Sequence, residues 1–182
     1  MFIETHDTPN PNTVKFVPGV RIIESGIKSY TSAADCKSSP LAANLFKISD
    51  VTGVFLTPDF ITVTKSDSSN WSYLRTIVLA CILDHFTAGL PAYINDEKPP
   101  TQHDPDQDAT IAQIKELIES KVKPAVMQDG GDITFQDYKN NIVYVELHGS
   151  CSGCPSSTIT LKSGIERMLK FHIPEIISVE SV

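Results

Sequence analysis

The chain has no long uncharged apolar run, so no segment reads as a transmembrane helix and no membrane partner is expected. It also lacks a basic excess. Its 15 Lys and Arg stand against 22 Asp and Glu, for a net charge of −7. Holding nucleic acid through its phosphates usually calls for such an excess, so nucleic acid is not an expected partner. Cysteine is scarce. Four residues, Cys36, Cys81, Cys151 and Cys154, are too few to staple a chain of 182 residues. In a reducing compartment, closely spaced cysteines point to metal or redox chemistry instead. The opening MFIETHDTPNPN has neither the apolar core of a secretory signal nor the Arg-rich, acid-poor composition of a transit peptide. We therefore expect a cytoplasmic protein, or a processed organellar one in the mitochondrial matrix. What is present suffices for folding: 41% of residues are hydrophobic and 20% charged.

Charge locates a seam. Residues 1–95 carry 7 basic and 8 acidic side chains, residues 96–110 carry 1 and 5, and residues 111–182 carry 7 and 9. The middle stretch, DEKPPTQHDPDQDAT, has three prolines and almost no apolar residue, so it reads as an acidic, solvated linker. Two small domains follow, 1–95 and 111–182, of overall α/β (α+β) class. In the first, Thr13 to Val17 predicts a strand. Ser39-Pro40 predicts a helix start, with Leu41, Leu45 and Ile48 on one face. Val51 to Leu56 and residues 60–65 predict a hairpin around Thr57-Pro58-Asp59. Ser69 or Asn70 caps a helix striped by Leu74, Val78, Ile82 and Phe86, ending at Gly89 and Pro91. The sum is an α/β domain with a largely antiparallel sheet.

The second domain reads α-β-β-α-β. Thr110 and Gln113 suggest a capping box before a helix whose buried face is Ile111, Ile114, Ile118 and Val122, with Pro124 as its stop. Asp129-Gly130-Gly131-Asp132 reads as a structural turn rather than a metal site. Strands follow at 133–135 and 142–147, then a helix from Pro155, then a strand near 176–179. Between the second strand and that helix lies His148-Gly149-Ser150-Cys151-Ser152-Gly153-Cys154.

Cys151 and Cys154 form a C-x-x-C at a helix start, where unsatisfied N–H groups and the helix dipole favour thiolate over thiol. Gly149 and Gly153 leave room for backbone or a partner beside the sulfurs. The residues alone leave four readings open: a packed pair, a thioredoxin-like dithiol oxidoreductase, a zinc-binding interaction module, or half of an iron–sulfur site. A tetrathiolate site needs four cysteines. Cys36 falls in a polar loop of the other domain, and Cys81 beside an apolar helix stripe. Two chains, each giving Cys151 and Cys154, are the simplest way to four sulfurs, which points to a homodimer bridged by one cluster.

Three motifs in order, Gln128-Asp129-Gly130-Gly131-Asp132-Ile133, Cys151-Ser152-Gly153-Cys154-Pro155-Ser156-Ser157 and Thr160-Leu161-Lys162-Ser163-Gly164-Ile165-Glu166, resemble the NifU-like C-terminal domain of Nfu-type iron–sulfur proteins. Thr8-Pro9-Asn10-Pro11-Asn12-Thr13, Ser39-Pro40-Leu41-Ala42 and Asp59-Phe60-Ile61-Thr62-Val63-Thr64-Lys65 resemble the Nfu N-terminal domain. The resemblance implies a scaffold or carrier, not an enzyme. Its cofactor would be a 4Fe–4S cluster on Cys151 and Cys154, although two thiolate pairs also suit a 2Fe–2S unit. Its implied partners are upstream cluster donors and apo iron–sulfur client proteins.

Overall fold

The computed structural model describes residues 2–94, 109–151 and 155–182, with the backbone alone for 155–158. The expected linker, apart from its last two residues, and Cys154 lie outside the described residues. The chain divides into two compact units, Met1–Lys98 and Pro99–Val182.

The first unit is a five-stranded antiparallel sheet with helices packed on its apolar face. Its strands are β1 (Glu4–Asp7), β2 (Thr13–Val17), β3 (Lys28–Tyr30), β4 (Val51–Leu56) and β5 (Ile61–Lys65), in the order β1-β2-β5-β4-β3. The β4–β5 hairpin forms where the sequence places it. The edge strands β1 and β3 have no sequence signal, being short and polar; pairing with β2 and β4 holds them. Helix α1 (Pro40–Leu45) buries Leu41, Ala42 and Leu45, and α2 (Trp71–Thr87) buries Leu74, Val78 and Ile82 against Val14, Phe16, Ile61 and Val63. Asn70 caps α2.

The three N-terminal motifs are explained by this packing. Thr8 Oγ1 donates to the carbonyls of Asn10 and Thr13, both at 2.9 Å, and closes the β1–β2 loop on itself. Lys65 N–H donates to the Asn12 carbonyl at 2.8 Å, tying that loop to β5. Ser39 Oγ accepts the Ala42 N–H at 3.1 Å and donates to the Ala92 carbonyl at 2.7 Å. Thr57 Oγ1 accepts the Phe60 N–H at 3.0 Å inside the hairpin turn. His85, at the end of the α2 stripe, is buried, and its Nε2–H donates to the Pro91 carbonyl at 3.1 Å. Cys36 is not in an open loop: it is 3% exposed within a 3-10 turn, Ala33–Ser38, and its Sγ donates to the Ser32 carbonyl. Burial pushes the Cys36 thiol up, with Asp35 adding to the effect.

In the second unit the helix departs from expectation. Among the described residues it already includes Ala109, so Thr110 lies inside it and Thr110 is not its N-cap. Nor does Pro124 stop it. Helix α3 (Ala109–Leu117) passes through a wider π turn, Ile118–Val122, into α4 (Lys123–Gln128). Proline lacks an N–H and its ring crowds the preceding turn. The widened turn lets the Lys123 N–H reach the Ile118 carbonyl, five residues back, and the helix continues through the proline. The buried face is Ile114, Leu117, Ile118, Val122 and Val126.

Strands β6 (Gly131–Lys139) and β7 (Ile142–Gly149) pair antiparallel, and β8 (Ser178–Ser181) adds in parallel to β7, giving the order β6-β7-β8. Asn140 and Asn141 both take positive φ, +51° and +62°, as a two-residue hairpin turn of type I′ requires. Helix α5 (Pro155–His172) makes the crossover that parallel strands need. The Thr160–Glu166 motif serves this crossover: Lys162 pairs with Glu180 at 2.7 Å, and Glu166 Oε2 accepts the Val179 N–H at 3.3 Å.

Replacing Ser39 by Ala removes both a helix cap and a buried tie to Ala92. We expect a loss of about 1–2 kcal/mol in the first unit, read by urea unfolding. A change below a few tenths would show the cap to be dispensable.

Candidate metal centre

The site forms where the start of β6 meets the end of β7. Gly131 pairs with Gly149 and Asp132 with His148. Gly130, at φ +78°, closes α4 through its N–H to the Met127 carbonyl at 3.1 Å and turns the chain into β6. The expected Asp129–Asp132 turn is thus half turn and half strand, because Gly131 and Asp132 already belong to the sheet. Beyond β7, Gly149 at φ +66° bends the chain back. Ser150 N–H then donates to the Gly130 carbonyl at 3.2 Å, and Ser150 Oγ donates to the Asp129 carbonyl. These two bonds lay the residue that follows across Gly131.

That residue is Cys151, 6% exposed. Its sulfur sits against the bare backbone of Gly131: a Cβ there would stand 2.5 Å from Cys151 Sγ and 2.8 Å from the His148 carbonyl. Both are below any ordinary contact, so only glycine permits this seat. The expectation that a helix end would make the thiol acidic does not hold for Cys151. Burial pushes its thiol up, and the charges of Asp129 and Asp132 add to the push, while the Ser150 hydrogen bond opposes them. Pro155 lies in α5. Of the two candidate ligands, Cys151 is located here and Cys154 lies outside the described residues.

Asp132, at the start of β6, is also buried, 1% exposed. Its Oδ1 accepts the Ile133 N–H at 2.8 Å, and its Oδ2 lies 3.8 Å from Lys123 Nζ, which stands nearer Glu119 at 3.1 Å. Burial holds the Asp132 carboxyl above the ordinary carboxylate range, with the Ile133 N–H, Lys123 and His148 pulling the other way. His148 is not an exposed strand end. It is half-buried, with Nε2 3.0 Å from Thr134 Oγ1 and 3.8 Å from Glu146 Oε2. Among the described residues, no group of three or more His, Cys, Asp and Glu is placed to hold a metal ion. Cys36 and Cys81 belong to the other unit. Sequence reasoning passed over Ser150 and the seating role of Gly131, since neither pairing is local in the chain.

A model of the NifU-like domain matches residues 114–180, and one of the scaffold protein Nfu/NifU N-terminal domain matches residues 3–89. The human mitochondrial NFU1 iron–sulfur cluster scaffold homolog is 44% identical over 183 residues, covering 100% of this chain and 72% of the relative. This chain belongs to the Nfu family. The NFU1 homolog of Drosophila sechellia is 45% identical over 185 residues, and the chain spans all of its own length but 65% of that relative's. A solution structure of a NifU-like protein from Saccharomyces cerevisiae matches at a TM-score of 0.47 and 21% identity, covering 53% of this chain and 87% of that one. The second unit brings Gly130-Gly131 and Cys151 side by side.

Gly131→Ala forces Cys151 off its seat. We expect the second unit to lose stability by about 1–3 kcal/mol, as overpacking usually costs, while the first unit unfolds unchanged. Separate unfolding transitions for the two units read this directly, and an unaltered second transition would refute the seat.

Proposed function

We propose that this Nfu-family chain is an iron–sulfur cluster scaffold and carrier. It binds a 4Fe–4S cluster through Cys151 and Cys154, shares that cluster with a second copy, and transfers it to apo client proteins. One observation carries the reading: Cys151 is seated with its sulfur against Gly131 in the unit that the NifU-like domain model matches, and the sequence gives that unit two cysteines, Cys151 and Cys154. Four thiolates are needed for such a cluster, and a twin subunit supplies the other pair. The names of the NFU1 relatives, scaffold homologs of mitochondria, support the scaffold role and a place in the mitochondrial matrix after processing. No helix among the described residues is long and apolar enough to cross a membrane.

The cluster is cargo here, and the chain's part is to hold and surrender it. Cys151 is fixed by Gly131 behind it and by Ser150 beside it, so its sulfur does not need ordering when the cluster arrives. Incoming client thiolates replace the two cysteines one at a time, and no bond of the cargo is turned over. We therefore read the protein as a carrier and not as a catalyst.

Anaerobic reconstitution with iron and sulfide, followed by metal analysis and sizing, tests this. A dimer with one cluster per two chains is expected, and Cys151→Ala or Cys154→Ala should each bring cluster content to background with both units folded. Zinc alone, or sustained insulin reduction by the metal-free protein, would refute the carrier. Normal cluster content in Cys151→Ala would refute the ligand assignment.

The thiol must lose its proton to bind metal. Because Cys151 is held above the ordinary thiol range in the apo protein, uptake should accelerate as pH rises from 7 to about 9. The initial rate of cluster absorbance against pH measures this, and a flat profile would contradict it.

A further inference from the structure

Helix α2 has an outer face that a surface helix does not ordinarily have. Its inner face, Leu74, Val78 and Ile82, packs into the core of the first unit. A helix that covers a core usually turns charged residues outward. In α2 they are engaged elsewhere: Arg75 is half-buried and paired with Asp7, and His85 is buried. The outward stripe is Tyr73, Ile77, Ala80, Leu83 and Thr87, spaced as one face of a helix. Tyr73 is 70% exposed and Leu83 38%, Ala80 and Thr87 are exposed, and Ile77 is half-buried. Among the residues of α2, Asp84 is the one charge beside that stripe.

We propose that this face of α2 is a contact between two copies of the chain, in which the two helices pack antiparallel with Ala80 at the two-fold axis. The stripe is complementary to itself in that arrangement. Ala80 is small and lets the helices approach, Leu83 comes against the partner's Ile77, and Tyr73 against the partner's Thr87. Like charges are kept apart: the offset places the two Asp84 about 12 Å from each other along the axis. A parallel pair would set them side by side. Such a face is small. One helix exposing one Tyr and one Leu buries less than the roughly 800 Å² per partner of a stable interface, so the contact is weak between free chains. It strengthens where two chains are already joined. Residues 95–108 connect each first unit to the second unit of its own chain. A cluster shared between two second units therefore holds two α2 faces at an effective concentration on the order of millimolar. That gain rests on the carrier reading above; the contact itself does not.

The test uses the full chain as wild type, Leu83→Glu, Tyr73→Ser and Cys151→Ala. Leu83 and Tyr73 are exposed, so neither change should move the thermal midpoint of the apo protein; Tyr73→Ser keeps the test valid should Leu83→Glu lose stability. Sedimentation of the apo wild type should show self-association with a dissociation constant on the order of 1 mM. Leu83→Glu, which puts a charge into the contact, should weaken it roughly tenfold or more. Cys151→Ala should associate as the wild type does, because the contact needs no cluster. In NMR spectra, concentration-dependent shifts should fall on Tyr73, Ile77, Ala80 and Leu83. After anaerobic loading to equal cluster content, the wild-type dimer should survive dilution better than Leu83→Glu. An apo wild type that stays monomeric at about 1 mM would overturn the proposal, as would association that Leu83→Glu and Tyr73→Ser leave unchanged. Shifts of the same signals only on adding an apo iron–sulfur client would give the face to a client and also overturn it. Failure to load, with apo association intact, would sink the carrier reading alone.

Discussion

The second unit depends on one contact, the sulfur of Cys151 against the backbone of Gly131. The contact exists because two strand ends coincide. β6 begins at Gly131 and β7 ends at Gly149, directly opposite each other. Gly130 and Gly149 take positive φ and bend the chain at both ends. Ser150 then ties the returning segment to Gly130 and Asp129. Each element of the Asp129–Asp132 motif has a task in this joint: a helix end, a turn, a bare backbone and a buried charge. The motif supports the seat of Cys151, the proposed ligand.

A seat of this kind has consequences for exchange. Burial makes the Cys151 thiol resist ionisation, and the charges of Asp129 and Asp132 add to the effect. In the proposed carrier, rigid placement of the sulfur favours uptake by lowering the ordering cost.

Much of the fold was legible in the residues. Period-two apolar patterns gave β2, β4, β5 and β7, and Ser39-Pro40 marked α1, because these signals are local. The edge strands β1 and β3 were not legible, since Glu4–Asp7 and Lys28–Tyr30 are polar and owe their conformation to a neighbouring strand. The length of β6 was also missed. Its second half is polar and bulged between Phe135 and Asp137, and only pairing with β7 makes it strand. Pro124 misled for a related reason: a proline is a local stop signal, and a widened turn before it is a tertiary accommodation.

The sequence by itself determined the family pattern, the C-x-x-C, its place before α5 and the shortage of thiols in one chain. All of these follow from residue identity and spacing. Only the tertiary structure decided that Gly131 is the seat of Cys151, that Ser150 holds the segment in place and that Asp132 is buried opposite His148. Gly131 and Cys151 stand twenty residues apart in the numbering, and the hairpin register alone brings them into contact. A pattern read along the chain carries backbone preference and chemistry, whereas the electrostatic surroundings of a sulfur depend on which distant groups folding places next to it.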